Sequence, residues 1–106
     1  MRRKETAFAS PAVLAAARHL GALVRQARLA RTWTQGELAE RARIGLATLK
    51  RIESGAAEAS LGAWMSVLDR LGLLPLLQSL RDPASAALLS STQAKRSRRS
   101  EKDLDF

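Results

Sequence analysis

Thr48, Lys50 and Arg51 place one hydroxyl and two cations on a short segment whose apolar spacing predicts a helix. Lys and Arg side chains donate hydrogen bonds to phosphate oxygens, and Arg can donate two at once to the major-groove edge of guanine. Leu49 and Ile52 lie three residues apart on another side of the same predicted helix. The predicted helix thus has one apolar side that can be buried and one cationic side that can face solvent. This division suits a helix that lies in the major groove of DNA while it packs against a scaffold.

A second short helix is predicted just before this one. Thr34 and Glu37 have the S/T-x-x-E spacing of a capping box, in which a hydroxyl and a carboxylate each accept a hydrogen bond from a free backbone N–H group. We therefore expect the earlier helix to begin at Gln35. Its small apolar stripe consists of Leu38, Ala39 and Ala42. Residues 43–45 interrupt that pattern, so residues 34–55 predict two helices joined by a short turn, with Ser54 and Gly55 as the final stop.

An ordered set of residues at fixed spacing carries a family resemblance: Trp33, Thr34, Gln35, Glu37, Leu38, Ala39, Ile44, Thr48, Leu49, Arg51, Ile52, Glu53 and Gly55. The set is similar to the phage-repressor (lambda repressor-like, XRE) helix-turn-helix family, and it covers residues 20–80. The resemblance implies that Gln35 touches a DNA phosphate at a helix N-terminus, where the dipole and the free N–H groups favour an anion. It also implies a structural ion pair between Arg28 and Glu53, which we assign to orientation because burial of such a pair often only offsets desolvation.

The chain departs from this family where specificity would be read. The family usually has Gly in the turn where this chain has Arg43, and a left-handed backbone there costs a non-Gly residue about 1 kcal/mol; we expect a turn rebuilt around Gly45. The residues that open the recognition helix lack polar side chains, so Arg51 is the best candidate for a guanine contact, and we expect modest specificity. The expected DNA-contacting residues are Thr34, Gln35, Arg43, Gly45, Leu46, Ala47, Thr48, Lys50 and Arg51.

Composition agrees with a small DNA-binding module. The 106 residues include 18 Lys and Arg against 10 Asp and Glu, a formal charge of +8, which favours double-stranded DNA or another polyanion as partner. The length allows one compact domain with tails. Cysteine is absent, which excludes thiol chemistry and fits a reducing cytoplasm, where we expect the protein to be associated with the nucleoid. No apolar stretch reaches the roughly 20 residues that span a bilayer.

Helical patterns without a strand or a repeat predict an all-α fold: a five-helix, lambda-repressor-like domain over residues 10–82, preceded by a loose basic arm over residues 1–9. Ser10 before Pro11 predicts the start of a first helix that runs to about Arg31. Its expected apolar face is Leu20, Leu23, Val24 and Ala27. Ser60 is expected to cap a fourth helix, with Leu61, Trp64, Met65, Leu68 and Leu71 inward and Gly72 as its stop. A fifth short helix is predicted from Pro75 through Leu80.

Two groups of apolar residues each allow two interpretations. Trp33 and Trp64 could stack on a base, but Trp at helical spacing or before a capped helix more often belongs to the core, which we favour. Five leucines form the second group: Leu73, Leu74, Leu76, Leu77 and Leu80. They either complete a tight core or form a partly exposed patch that a second copy covers, and we favour the second. A two-fold dimer would place two recognition helices about 34 Å apart, one for each half-site.

Residues 83–106 are predicted to be a mostly disordered tail, because from Ser90 onward they have almost no apolar side chains to bury. The AKRSRRSEK run is by default a solvated tail that touches phosphates, with partner docking as the alternative. At the very end Leu104 and Phe106 alternate with two acidic residues. These two side chains are either an anchor for a partner protein's pocket or part of an unstructured end, and the sequence leaves both open.

Within the superfamily the chain is most similar to HipB-type antitoxins. The similarity rests on Ser10 with Pro11, the Trp-Thr-Gln-x-Glu-Leu-Ala run, Ala47 with Thr48, and an acidic residue before a terminal aromatic. It implies a homodimer that represses its own operon and holds a HipA-like kinase toxin inactive. The chain departs from these antitoxins in two ways. The segment after the fourth helix is predicted to be a helix, whereas the family can have a strand there. Polar residues are also missing at the start of the recognition helix.

Catalysis is not expected. His19 is the only histidine and lies on a polar stretch, and no phosphate-binding loop or cluster of carboxylates accompanies it. We therefore expect no cofactor and no metal. Three functions remain open: a DNA-binding repressor that is also an antitoxin, a stand-alone regulator of the XRE type, and an interaction module that no longer reads DNA.

Overall fold

A computed structural model describes residues 9–104. Over that range the chain forms six helices and no strand, which confirms the predicted all-α class. The helices are α1 (Pro11–Ala30), α2 (Gln35–Ala42), α3 (Leu46–Glu53), α4 (Leu61–Arg70), α5 (Leu74–Gln78) and α6 (Pro83–Leu104). The chain divides into two compact units after Pro75. None of the described helices is both long enough and apolar enough to cross a bilayer. The predicted basic arm lies outside the described residues except for Ala9.

The starts of three helices are fixed by side-chain caps at the predicted positions. Ser10 Oγ accepts the N–H of Val13 at 3.1 Å, and Ser60 Oγ accepts the N–H of Ala63 at 3.1 Å. At α2 the capping box is complete, because Thr34 Oγ1 accepts the Glu37 N–H at 3.1 Å and a Glu37 carboxylate oxygen accepts the Thr34 N–H at 3.3 Å. Each cap satisfies a backbone donor that the first helical turn leaves free.

The core of the N-terminal unit lies among α1 to α4. Helix α3 packs against α1 and α2, and α2 also packs against α4. The buried apolar side chains are Val24, Leu38, Ala39, Ala42, Leu49, Ile52, Trp64, Val67, Leu68 and Leu71. The predicted inward faces of α2 and α3 are therefore confirmed.

The predicted inward face of α4 is wrong at two positions. Leu61 is 71% exposed and Met65 is 39% exposed, whereas Val67 is fully buried. The buried set has the i, i+3, i+4, i+7 spacing that starts at Trp64 and ends just past the helix at Leu71. Because successive residues turn by about 100° in an α-helix, Met65 falls outside that stripe.

Helix α1 approaches the end of α3 backbone to backbone. A Cβ atom on Gly21 would collide with the backbone oxygen of Ile52 and the backbone nitrogen of Gly55. On the other side of the contact, a Cβ on Gly55 would lie 2.5 Å from the Arg18 Cα, and Gly55 also has a left-handed φ of 84°. The two glycines therefore allow a close approach that fixes the C-terminal end of α3 on the scaffold.

Helices α1 to α4 all end with the same hydrogen-bond pattern, in which a left-handed residue lies just beyond the helix. The four left-handed residues are Thr32, Arg43, Gly55 and Gly72. In each case the left-handed N–H bonds a carbonyl three residues back, and the next N–H bonds one five residues back, which is the Schellman motif. The predicted stops at Gly55 and Gly72 are confirmed.

The turn between α2 and α3 is not rebuilt around Gly45, so that expectation is wrong. Arg43 itself is left-handed, with φ 57° and ψ 43°, whereas Gly45 has an extended backbone and is the N-cap of α3. The Schellman bonds from Arg43 to Glu40 O and from Ile44 to Ala39 O hold this conformation. Arg43 therefore bears a backbone cost of about 1 kcal/mol that glycine would avoid.

The C-terminal unit corrects the prediction of a mostly disordered tail, because residues 83–104 form α6. Asp82 caps this helix: its carboxylate accepts the Ala84 N–H at 3.2 Å and the Ser85 hydroxyl at 2.6 Å, and its carbonyl accepts the Ala86 N–H at 2.9 Å. Pro83 occupies the first helical position, where its missing N–H costs nothing. Asp82 and Pro83 thus begin a new helix after α5.

Local propensity explains why α6 forms without a core. Its residues are mostly Ala, Leu, Ser, Lys, Arg and Gln, several of which are strong helix formers. With 22 residues it also exceeds the length of about 12–15 at which isolated helices become marginal. We predicted disorder from the low apolar content of this segment. That content limits the burial of side chains but does not prevent helix formation. Helix α5, predicted to reach Leu80, ends at Gln78.

Candidate nucleic-acid interface

Helix α3 has two chemically different sides, as its sequence predicts. Leu49 and Ile52 are fully buried against the scaffold, whereas Lys50 and Arg51 are exposed. The two cations are therefore not occluded by the body of the molecule. A rigidly packed helix with donors on its solvent side has the arrangement that groove reading requires.

The donors of α3 are partly organised before any ligand binds. Arg51 Nη2 donates a hydrogen bond to Thr48 Oγ1 at 3.3 Å, so the two side chains lie together one turn apart on the helix surface. The bond is exposed, and a base edge or a phosphate could replace it at little cost. Both side chains belong to the predicted DNA-contacting set, and the structure brings them together.

The N-terminal end of α3 offers apolar and backbone groups. Gly45, Leu46 and Ala47 are all exposed, and no side chain caps the helix. The first-turn N–H groups of α3 thus have no side-chain acceptor within residues 9–99, whose side chains the structure describes. Methyl groups and backbone donors are what this end can present to DNA.

Arg28 and Glu53, the residues that the resemblance pairs, form a bidentate ion pair. Arg28 Nε lies 2.7 Å from Glu53 Oε2, and Nη2 lies 3.0 Å from Oε1. The remaining guanidinium nitrogen, Nη1, donates to the Trp33 carbonyl at 2.8 Å. The two side chains are only 9% and 4% exposed. This cluster ties α1, the segment before α2 and the last residue of α3 together, so it orients α3.

Gln35 is held by the same cluster. Its side-chain amide donates to Glu53 Oε1 at 3.2 Å, and the residue is half-buried. Among the groups that the structure describes, none accepts a hydrogen bond from the backbone N–H of Gln35 or Gly36. The start of α2 therefore presents backbone donors of the kind that can bind an anion, and the contact of Gln35 with a phosphate stays a prediction. Thr34, which caps that helix, is exposed beside them.

The two tryptophans belong to the scaffold. Trp64 is buried, and the half-buried Trp33 has the Arg41 guanidinium over its ring at 4.4 Å from the centroid. Arg31 is a second cation with a structural contact, since its Nη2 donates to the Leu71 carbonyl at 2.6 Å. Sequence reasoning missed the contacts of Arg41 and Arg31, because each partner is brought near by the tertiary fold and no local spacing rule identifies it.

The remaining predicted site residues differ in their exposure. Leu76 and Leu80 are exposed, and Leu73, Leu74 and Leu77 are half-buried; their role as a dimer interface stays a prediction. Leu104 is the last residue of α6, and Phe106 lies outside the described residues. Arg43 is exposed at the turn, close to α3 in sequence.

Residues 19–84 match the family model described as helix-turn-helix domain. The chain belongs to the helix-turn-helix domain family. The matched range contains α2, α3, α4 and α5 completely, and so includes the two helices and the Arg43 turn that the sequence predicts to be the motif. No curated protein and no solved structure matches the chain. Membership in this family indicates a DNA-binding regulator.

Proposed function

We propose that the protein is a sequence-specific transcriptional repressor of the XRE type that inserts α3 into the DNA major groove. The observation that carries this proposal is the exposure of Lys50 and Arg51 on the side of α3 opposite the buried Leu49 and Ile52. The formal charge of +8 supplies the long-range attraction to a duplex.

The side chains then divide their tasks by geometry. Arg51, whose fork of donors matches the edge of guanine, reads sequence together with its neighbour Thr48. Lys50, Arg43 and the backbone donors at the start of α2 bind phosphates and set the register of the protein on the duplex. Leu46 and Ala47 contribute at most apolar contacts to thymine methyl groups. With one strong base-reading side chain, specificity is modest.

The test compares binding to a duplex selected by the wild-type chain from a random pool with binding to an unrelated duplex. Arg51→Ala should lower the preference for the selected duplex by about 5- to 150-fold, the equivalent of about 1–3 kcal/mol for one bidentate contact. Lys50→Gln should weaken binding to both duplexes equally. Arg25→Ala, an exposed substitution on α1, is the control. Equal affinity of the wild-type chain for both duplexes would leave only electrostatic attraction and support the interaction-module alternative.

A homodimer is part of the proposal, because one short recognition helix reads too few base pairs to define an operator. The exposed Leu76 and Leu80 side chains are candidates for the shared surface. Light scattering at micromolar concentration should give twice the mass of the chain, and Leu76→Lys with Leu80→Lys should give a monomer. A wild-type monomer with full operator preference contradicts this part.

The antitoxin role is the finer form of the proposal and rests on the sequence similarity to HipB-type antitoxins. It predicts that a HipA-like kinase encoded by the adjacent reading frame copurifies with this chain. Leu104→Ala with Phe106→Ala should release the kinase and leave the preference for the selected duplex unchanged. Failure of the wild-type chain to bind such a kinase supports the stand-alone regulator instead.

A further inference from the structure

Helix α6 carries a cationic face that lies outside the helix-turn-helix motif. Lys95, Arg96, Arg98 and Arg99 are all exposed. Thr92, Lys95, Arg96 and Arg99 line one shallow concavity on the helix surface. Separations of three, four and seven residues put these side chains on the same side of an α-helix, and Lys95 and Arg99 are separated by a rise of about 6 Å.

The part of α6 whose side chains the structure describes contains no acidic residue. Residues 83–100 contain no Asp or Glu. Among the side chains that the structure describes, none of the four cations forms a salt bridge. Lys95, Arg96 and Arg99 are like charges on one side of the helix, with Arg98 at the edge of that side, and like charges three or four residues apart repel each other. A polyanion that lies along the face relieves this repulsion.

The chemistry of the remaining positions favours DNA over a lipid surface. A helix that lies on a membrane needs large apolar side chains opposite its cations. Residues 90–94 and Ser97, which provide the rest of this part of the helix, are only Ser, Thr, Gln and Ala. The Thr92 hydroxyl also donates a hydrogen bond within the helix, to the Leu88 carbonyl at 3.0 Å. Residues 90–99 thus offer charge without a large apolar side chain, and the exposed Leu88 and Leu89 lie before this stretch.

We propose that α6 is a second DNA-contacting element, whose Lys95–Arg99 face binds backbone phosphates of the same duplex that α3 reads. The inference rests on the proposed function for the identity of the duplex. One DNA strand presents a charge about every 3.4 Å along the axis, so cations spaced along about 6 Å of helix meet adjacent phosphates. Because both elements belong to one chain, the second contact is intramolecular and adds affinity without a separate binding event. It carries no sequence information.

The experiment uses the full chain with Lys95, Arg96, Arg98 and Arg99 all changed to Gln, a residue that retains helix propensity. Binding to the selected duplex and to the unrelated duplex is measured across a salt titration. Both affinities should fall by the same factor, and the slope of log affinity against log salt should become shallower by about three to four, close to one unit per lost phosphate contact. The preference for the selected duplex should not change.

Two controls separate the possible causes. Arg96→Lys with Arg98→Lys and Arg99→Lys keeps the charge and should retain the wild-type slope; a loss of slope there contradicts a charge-based phosphate contact. Ser90→Ala with Ser97→Ala changes the other side of the helix and should have no effect. Circular dichroism of each variant should give the helix content of the wild-type chain.

The outcome that overturns the inference is an unchanged affinity of the Gln variant for both duplexes. Wild-type binding to vesicles with anionic lipid that the Gln variant loses, while its DNA binding is unchanged, also overturns it and assigns the face to a membrane. A failure of the proposed function is distinguishable, since it appears as equal wild-type affinity for the two duplexes. In that case the effect of α6 on the unrelated duplex can still be measured.

Discussion

Helices α3 and α6 both expose cations, but they differ in what holds those cations in place. In α3, Leu49 and Ile52 are fully buried, and the Arg28–Glu53 pair fixes the end of the helix. In α6, nearly every described side chain is exposed, and only the Asp82 cap and helix propensity order the backbone. A helix fixed by tertiary packing holds its donors in one orientation, which base reading requires, whereas a helix fixed only locally can supply charge.

This difference also separates the sensitivity of the two helices to mutation. The residues that contact α3 come from different parts of the chain. A single substitution in the scaffold therefore removes several of these contacts at once. Helix α6 depends on residues within a few positions of each other. Predictions on either helix therefore test whether tertiary packing or local structure determines its order.

The largest effect is expected at the buried ion pair. Arg28→Met leaves the Glu53 carboxylate buried without its guanidinium partner, and this should lower the free energy of unfolding by about 3–5 kcal/mol. Urea unfolding followed by circular dichroism measures the change. The matched control is Arg25→Met on the same helix, which is exposed and should change stability by less than about 0.5 kcal/mol. A similarly small effect of Arg28→Met would mean that packing alone orients α3.

The contact between α1 and α3 should respond to a single methyl group. Gly21→Ala puts a Cβ into the backbone of Ile52 and Gly55, and we expect a loss of about 1–3 kcal/mol. The same substitution at Gly62 in α4 meets no atom within 4 Å and should instead stabilise by about 0.5–1 kcal/mol, because alanine favours the helix. Equal signs for the two variants would contradict the close approach. Thermal unfolding of both proteins decides the sign.

The Arg43 turn should show a conflict between stability and binding. Arg43→Gly removes the left-handed strain and should stabilise the fold by about 1 kcal/mol, yet it also removes a cation beside α3 and should weaken DNA binding. Arg43→Ala separates the two effects, because it loses the charge but keeps the strain. Unfolding and binding measurements on both variants are sufficient. If Arg43→Gly leaves DNA affinity unchanged, the arginine at the turn has no part in binding.

Local signals made most of this fold predictable from the sequence. Ser10, Thr34 with Glu37, and Ser60 fixed three helix starts, because a cap involves residues only two or three positions apart. The apolar periodicity likewise identified the buried side of α3 and hence its exposed cations. At α4 the same reasoning failed for Leu61, since several apolar stripes fit one sequence and the neighbouring helices select among them.

Long-range contacts in the candidate site could not be derived in this way. Contact of Gln35 with phosphate stays a prediction, and the bond from its amide to Glu53 was not foreseen because the position of Glu53 depends on how α1, α2 and α3 pack. The Arg41 and Trp33 contact has the same origin. The prediction of disorder for α6 was wrong for a different reason. A low content of apolar residues limits the burial of side chains, whereas helix formation depends on backbone propensity and capping.

The smallest effect tests the local nature of α6 by pH. The Ser85 hydroxyl first, and the Ala84 N–H second, hold the pKa of Asp82 below its ordinary value. A lowered pKa in the folded state means that this capping is fully present above the ordinary Asp pKa of about 3.9 and is lost as pH falls through the lowered value. Amide and Cα chemical shifts of residues 84–87 should therefore report fraying of the first turn in acid. Asp82→Asn keeps a capping oxygen that does not titrate, so its shifts should not change over the same range. Acid fraying in both proteins would show that α6 depends on something other than its own cap.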